Sequence, residues 1–493
     1  MECLQAASSF PLGFRRPWQS RSRARITAPR ALAVESRPDF FLLELAEKLE
    51  DSVSKGAGEE RRSNLVLKAL RDGSAEVAVT CKWPSSKDEA YRFTNVKFLK
   101  DSEIQPLIIG GDEVESLSFE GMEDEEGESI RLVFVDGILS PELSKVEGVP
   151  PEVYVGSILA APDEKLQKYV VPRISQASTL IDKDAFVSLN GIGALDLGVV
   201  LVPKDLKLEK PIHVVYYSTP RKNLKNQLEP QVVSMTNPRL LVVASEGATV
   251  HLVEEFRGGT EESSHWTNSV CEIVIESGAS VSHDLIQTQG RSSVSMKKTY
   301  VSQEKASSYK CVDVELGSKL SRHNLHIEQL GSDTKTEMLT FLLCGRDQVQ
   351  DLHSRLILNH PRGYARQLQK CIVMNSTGHG VFDGNIRVNR DAQQTDAGQL
   401  SRSLLLAPRA TVNAKPSLQI NADDVKCTHG VAISDLDEDQ LFYFRARGID
   451  AQTARSALVF SFGAEVIEKL ESKTMQKSVE ELLKSLLLRE GAI

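Results

Sequence analysis

Cys427 and His429 stand two residues apart in NADDVKCTHGVAIS (421–434), just ahead of Gly430. A thiolate and an imidazole are a soft and a borderline metal ligand. On a β-strand, residues i and i+2 point to the same side. Val425, Cys427 and His429 then share one face, with Lys426 and Thr428 on the other. The pair supplies two ligands for a metal ion or a cluster edge, and the rest must come from elsewhere. The same two residues equally suit a small buried hydrophobe and a hydrogen-bonded interior histidine. Spacing alone does not choose between these readings.

Other chemistry-bearing residues are less suggestive. HNLHIEQ brings His323, His326 and Glu328 close together. On a strand, however, i and i+3 face opposite ways, so the two histidines do not converge on one ion without a bulge. Cys371 and His379 are separated by turn-forming Asn375 and Gly378. The seven cysteines (Cys3, Cys81, Cys271, Cys311, Cys344, Cys371 and Cys427) form no CxxC pair, which removes a zinc ribbon, a thioredoxin motif and a self-sufficient iron–sulfur ligand set. The chain has no GxxxxGK[ST], HExxH, GxSxG or strand-bounded GxGxxG. An ATP site of its own and a dinucleotide or flavin fingerprint are therefore not expected.

The elements that must position Cys427 and His429 follow from patterning. The first 34 residues carry Arg15, Arg16, Arg21, Arg23, Arg25 and Arg30 among Ser and Ala, with Glu2 the only acid. Without a continuous apolar core, this is the composition of an organelle transit peptide. The hydroxylated, nearly uncharged start MECLQAASSF favours a plastid, so the chloroplast stroma is the expected compartment. Losing six arginines and one glutamate takes the formal charge from −9 to −14, which argues against nucleic acid or anionic membrane as a main partner. No apolar run approaches the ~18 residues that span a bilayer.

RPDFFLLELAEKLEDSV (37–53) and ERRSNLVLKALRDG (60–73) have helical apolar spacing. GDEVESLSFEGMEDEEGES reads as a solvated acidic loop. From about Phe186 to Ser434, β-branched runs alternate with Gly, Asn and Asp. Glu246-Gly247-Ala248-Thr249-Val250 superimposes on Ser277-Gly278-Ala279-Ser280-Val281 at an offset of 31 residues, and APRATVNAKPSLQI (407–420) repeats the turn-then-strand pattern. A tight corner followed by a strand that buries one face is what a stacked solenoid requires. A sandwich also gives many short strands, but roughly 250 residues without a helical pattern exceed one sandwich, and stacking has no such limit. A parallel β-helix core is therefore expected. Ser434 and Asp435 offer N-caps for a final helical region, where Val479, Leu482, Leu483, Leu486 and Leu487 form an apolar stripe that either caps this chain's own core, as periodicity favours, or docks into a partner groove. Four segments result: a transit peptide (1–35), an N-terminal helical or mixed domain (36–185), the β-helix (186–434) and a C-terminal helical domain (435–493).

Residues 376–449, which include the run ADDVKCTHG followed by LFYFRARGI, closely resemble the C-terminal core of the SufD family. PSSKDEAYRFTNV (84–96) resembles that family's N-terminal signature, and with the leader the likeness is to plastid members. It covers essentially the whole chain after the leader. The resemblance implies a mainly β fold: a right-handed parallel β-helix flanked by N- and C-terminal helical domains. It also implies a non-catalytic scaffold that pairs with SufB, binds the ATPase SufC, and assembles nascent iron–sulfur clusters for transfer to acceptor proteins. His429 maps onto the family histidine placed at the cluster-assembly interface, where it would be the metal-ligating residue, and Cys427 sits in the same motif. The C-terminal helices, with Phe442, Tyr443, Arg445 and Arg447 and the terminal stripe, would dock SufC.

Departures qualify the likeness. Thr428 replaces the usual Ser of the motif, while Ala410 and Gly430 stand where SufB-type chains carry a cysteine and an acid. A transient cluster would therefore be shared with SufB rather than held by this chain unaided. Two alternatives stay open: a purely structural adaptor without cluster ligands, and a carbohydrate-acting β-helix enzyme, which would need clustered carboxylates and basic residues on one coil face.

Overall fold

A computed structural model describes residues 39–56, 58–107, 129–173, 184–219, 231–258 and 264–489. The transit segment expected over 1–35 and most of the acidic loop lie outside these residues. No described helix is long and apolar enough to cross a membrane.

The body is a parallel β-solenoid. Its strands run alternately through two ladders of eleven and ten strands. The stacked strand pairs from Arg239–Ala244 with Thr249–Gly258 to Thr411–Ile420 with Lys426–Ser434 make about seven turns. Period-2 alternation fills the interior. In Lys335–Cys344, Thr336, Met338, Thr340, Leu342 and Cys344 are buried and face in, while Lys335 and Glu337 are exposed. The interior cluster of Val250, Leu252, Ile273, Val281, Leu325, Ile327, Leu356, Ile386 and their neighbours is nearly continuous along the stack.

The corners explain the repeat. Gly247 N donates to Ser277 O at 3.0 Å, and Gly278 N to Lys305 O at 2.9 Å, one coil on. Ala306, Arg362 and Gln394 continue the ladder with bonds of 2.8, 2.9 and 2.6 Å to Ser332, Gln393 and Asp424. All five are left-handed, with φ between 56° and 71°. At 247 the left-handed φ favours glycine, and an added Cβ would displace the end of the Asp205 side chain, whose Oδ1 would lie 2.3 Å away. The third repeat, 407–420, turns at the opposite corner: Arg409 has φ 63° and the strand that follows, Thr411–Ile420, lies in the other sheet.

Helices cover the outer faces. Phe40–Gly56 and Leu65–Ala78 bury Leu42, Leu45, Leu49, Leu67 and Leu70 against the early coils. The β region expected from Phe186 opens instead with a buried helix, Ala185–Ile192, whose N-cap Asp184 accepts from Phe186 N at 2.9 Å. At the other end, Ala451–Ile467 and Lys473–Arg489 lie over outward-facing Phe341, Leu343, Ile372 and Leu404.

The two ends of the stack differ. At the start, the short strands Ile138–Leu139 and Tyr154–Ser157 pair antiparallel with Ile130–Val135 and Gly198–Val202 and close the ladders. At the finish, Thr411–Ile420 and Lys426–Ser434 each pair on one side only among the described residues.

Candidate functional site

Cys427 and His429 lie on that last strand. Its register pairs Ala397 with Cys427, Gln399 with His429, Ser401 with Val431 and Ser403 with Ile433. The four partners are all buried, so the row Cys427, His429, Val431 and Ile433 belongs to the interior face. No further coil of the described chain lies over it, and His429 is exposed, while Val431 and Ile433 are 43% and 44% exposed. Ile420, on the facing strand, is 43% exposed, so the mouth of the solenoid presents a bare rim of core-type residues.

The expectation that Cys427 and His429 share one side holds, and their surroundings separate them. Cys427 is half-buried and packs against the interior cluster. Burial, and the charge of Asp396, push its thiol pKa up, partly offset by the Ala397 backbone. A thiol held protonated is a poor ligand until something draws its proton off. His429, in the open, offers its imidazole to whatever docks. Gly430 leaves room beside it, since an added Cβ would meet only Leu400 Cδ1 at 3.3 Å. Ala410 is buried in a corner among Leu342, Cys371 and Phe382.

Residues that the sequence set aside fall as argued. His323 and His326 point to opposite sides: His323 Nδ1 reaches Asp313 Oδ2 at 2.9 Å inside the solenoid, and His326 Nε2 reaches Glu328 Oε1 at 3.2 Å outside. Cys371 lies 3.9 Å from Cys344 Sγ, and His379 Nε2 bonds Asn413 Oδ1 at 2.6 Å, so those two do not act together.

The helical segment divides into two parts. Phe442, Tyr443 and Arg445 lie on Glu438–Arg445, a helix with no buried residue, and Arg447 follows it. Phe442 is 70% and Tyr443 54% exposed, and the Arg447 guanidinium stacks 3.4 Å over the Tyr443 ring. The terminal stripe caps this chain's own core, as its periodicity favours, and corrects the partner surface that the family resemblance implies. Val479, Leu483 and Leu487 are buried, and Leu482 and Leu486 pack with them on this chain's own sheet. Its apolar side is consumed internally, because the outward faces of Phe341, Leu343 and Ile372 need the same cover.

Comparison with known proteins bears on the same regions. Residues 226–462 match the family model described as SUF system FeS cluster assembly, SufBD core domain, and residues 55–214 match the SufBD protein N-terminal region. The chain belongs to the SufBD family. A relative from Arabidopsis thaliana, named Protein ABCI7, chloroplastic, is 46% identical over 95% of both chains. A SufBD-family iron–sulfur cluster assembly protein of Synechocystis is 34% identical over 83% of this chain and 89% of its own. The Escherichia coli iron–sulfur cluster assembly protein SufD is 27% identical over 71% and 78%. The SufD likeness read from ADDVKCTHG and PSSKDEAYRFTNV thus extends over nearly the whole chain. The plastid address expected from the leader agrees with the chloroplastic relative.

Proposed function

We propose that this chain is a scaffold subunit of a plastid iron–sulfur cluster assembly complex. It pairs its open solenoid end with SufB, binds the SufC ATPase through the Phe442–Arg447 surface, and places His429 beside partner thiolates while a cluster is built and passed to acceptor proteins. The observation that carries this reading is the bare mouth of the solenoid. Among the described residues two parallel strands each leave one edge without a neighbour there, and an exposed imidazole sits among core-type residues. Such an edge is a template for another chain's strands. A homologous solenoid offered end to end would continue both ladders and bury Ile420, Val431 and Ile433.

Chemically, His429 contributes a neutral nitrogen ligand or accepts a proton from a partner thiol as iron binds. Cys427, its thiol held protonated by burial, acts as packing beneath the histidine. The cluster is the cargo of this site, with ATP hydrolysis assigned to SufC.

The test is anaerobic reconstitution of the full chain with SufB and SufC, followed by absorption spectroscopy. His429→Ala is expected to leave the complex assembled and to lower cluster absorbance at least tenfold. An unchanged yield overturns the ligand role and leaves the adaptor reading.

A further inference from the structure

The lumen of the solenoid carries a nearly continuous apolar row, and beside it runs a polar one that in the middle coils is charged. Glu254 is satisfied there: Lys297 Nζ lies 2.8 Å from its carboxylate, His283 Nε2 at 2.9 Å and Tyr216 OH at 2.8 Å. Asp313 and Glu315 also face inward, from the strand Ser308–Glu315, and His323 joins them from Leu320–Gln329. The three are 0%, 3% and 1% exposed, and one donor atom from each lies within 4.8 Å of the other two.

Two features of this trio are unexplained by packing. No Lys or Arg among the described residues pairs with Asp313 or Glu315, and Asp313 Oδ1, fully enclosed, takes no hydrogen bond. Neighbouring carboxylates in a water-poor interior repel each other unless a cation or a shared proton lies between them. The shell around them is also set for ligation. Thr299 Oγ1 lies 2.9 Å from His323 Nε2, which turns the other ring nitrogen toward Asp313, and Ser321 Oγ donates to Glu315 Oε2 at 2.5 Å. An imidazole held through one nitrogen and a carboxylate held by a hydroxyl are what the outer partners of a metal centre provide.

We propose that Asp313, Glu315 and His323 form a binding site for one divalent transition-metal ion inside the solenoid, with two carboxylate oxygens and His323 Nδ1 as protein ligands. Two oxygens and one nitrogen suit Fe2+, Mn2+ or Zn2+. Bonds of about 2.0–2.2 Å bring ligand atoms to roughly 3 Å from one another, a closure that carboxylate rotation supplies. The site is separate from His429. It lies four strand steps away along the stack, roughly 19 Å at about 4.8 Å per step, with Thr340, Gln369 and Ser401 succeeding Asp313 on the same interior row. Ser401 Oγ donates to Gln369 Oε1 at 2.6 Å, so this row is polar up to the last coil before the open end. The inference does not depend on pairing with SufB.

The test is anaerobic titration of the purified full-length chain with Mn2+, read by electron paramagnetic resonance, with circular dichroism as the check on folding. One tightly held Mn2+ per chain is expected in the wild type and in Cys427→Ala/His429→Ala, and none in Asp313→Asn/Glu315→Gln. The amides keep shape while removing the repelling charges, so folding is expected to survive. Thr299→Val, which keeps all three ligands but frees the ring, is expected to weaken binding at least tenfold. Absence of Mn2+ binding in the wild type, or equal binding in the Asn/Gln variant, overturns the site. If that variant does not fold, undiminished affinity in Thr299→Val overturns it instead.

Discussion

His429 and Gln399 are register partners on adjacent parallel strands, yet Gln399 is 3% exposed and His429 stands in the open. The interior row is the same and only the next coil is missing. Edge-strand logic then predicts that charge on this row blocks pairing without harming the fold. Val431→Lys and Ile433→Lys should each leave folding stability within about 0.5 kcal/mol of wild type, as expected for exposed positions. In light scattering or pull-down with SufB, both should abolish the heteromer. A complex that persists with both lysines in place would put the partner elsewhere on the surface.

Asp351 gives the N-terminal signature a structural job. Its carboxylate, on the outer side of the solenoid, accepts from Thr94 and pairs with Arg322 Nη1 at 2.5 Å, and the Arg322 guanidinium lies 4.0 Å over the Tyr91 ring. Burial alone would raise the Asp351 pKa, but Arg322, His353 and Thr94 outweigh it and hold the group at about 2, below its ordinary 3.8. A folded pKa below the unfolded one contributes stability at pH values above about 4 that is lost as the pH falls toward 2. Asp351→Asn leaves Arg322 buried and unpaired and should cost roughly 3–5 kcal/mol at pH 7. In urea melts, the gap between variant and wild type should narrow as the pH drops below about 4. A gap that is constant with pH would refute the charge account.

Lys297 neutralises Glu254 deep in the lumen. Burial opposes ionisation of Glu254, and the Lys297 ammonium, with His283, overcomes it and holds the carboxyl well below the usual carboxylate range. Lys297→Met should destabilise by roughly 3–5 kcal/mol because it strands a buried charge. Adding Glu254→Gln should recover much of the loss, and this double-mutant cycle in denaturant melts is the measure of coupling. Additive losses would mean that the pair acts through packing alone.

How much of this was legible beforehand follows from what each feature depends on. The 31-residue offset between Gly247 and Gly278 was visible because a corner needs a left-handed residue at a fixed place in each coil. Later corners use Ala306, Arg362 and Gln394 in the same conformation, and nothing in those residue types signals it. The shared face of Cys427 and His429 followed from strand alternation, but exposure at an open end depends on where stacking stops. The grouping of Asp313, Glu315 and His323 was not legible: the acids and the histidine lie on strands of different sheets, and they meet only when the sheets close around the lumen. HNLHIEQ drew attention to the wrong neighbour of His323, since its partners come from across the interior.

The C-terminal helices provide the last prediction, because two apolar sets there have opposite fates. Leu483, at 0% exposure, seals the outer face of the sheet together with Val459 and Phe341, whereas Phe442 and Tyr443 stay 70% and 54% exposed. Leu483→Ala should therefore cost about 2–5 kcal/mol of stability through the cavity it leaves. Phe442→Ser with Tyr443→Ser should leave the melting temperature within about 1 °C, since neither side chain is buried. Exposed aromatic anchors beside an arginine are the residues that dominate protein interfaces. The Phe442/Tyr443 double variant should consequently lose SufC binding at least tenfold in a titration, with its fold intact. If Leu483→Ala weakens SufC binding in proportion to lost stability while the aromatic pair is dispensable, the docking surface is not the Phe442–Arg447 segment.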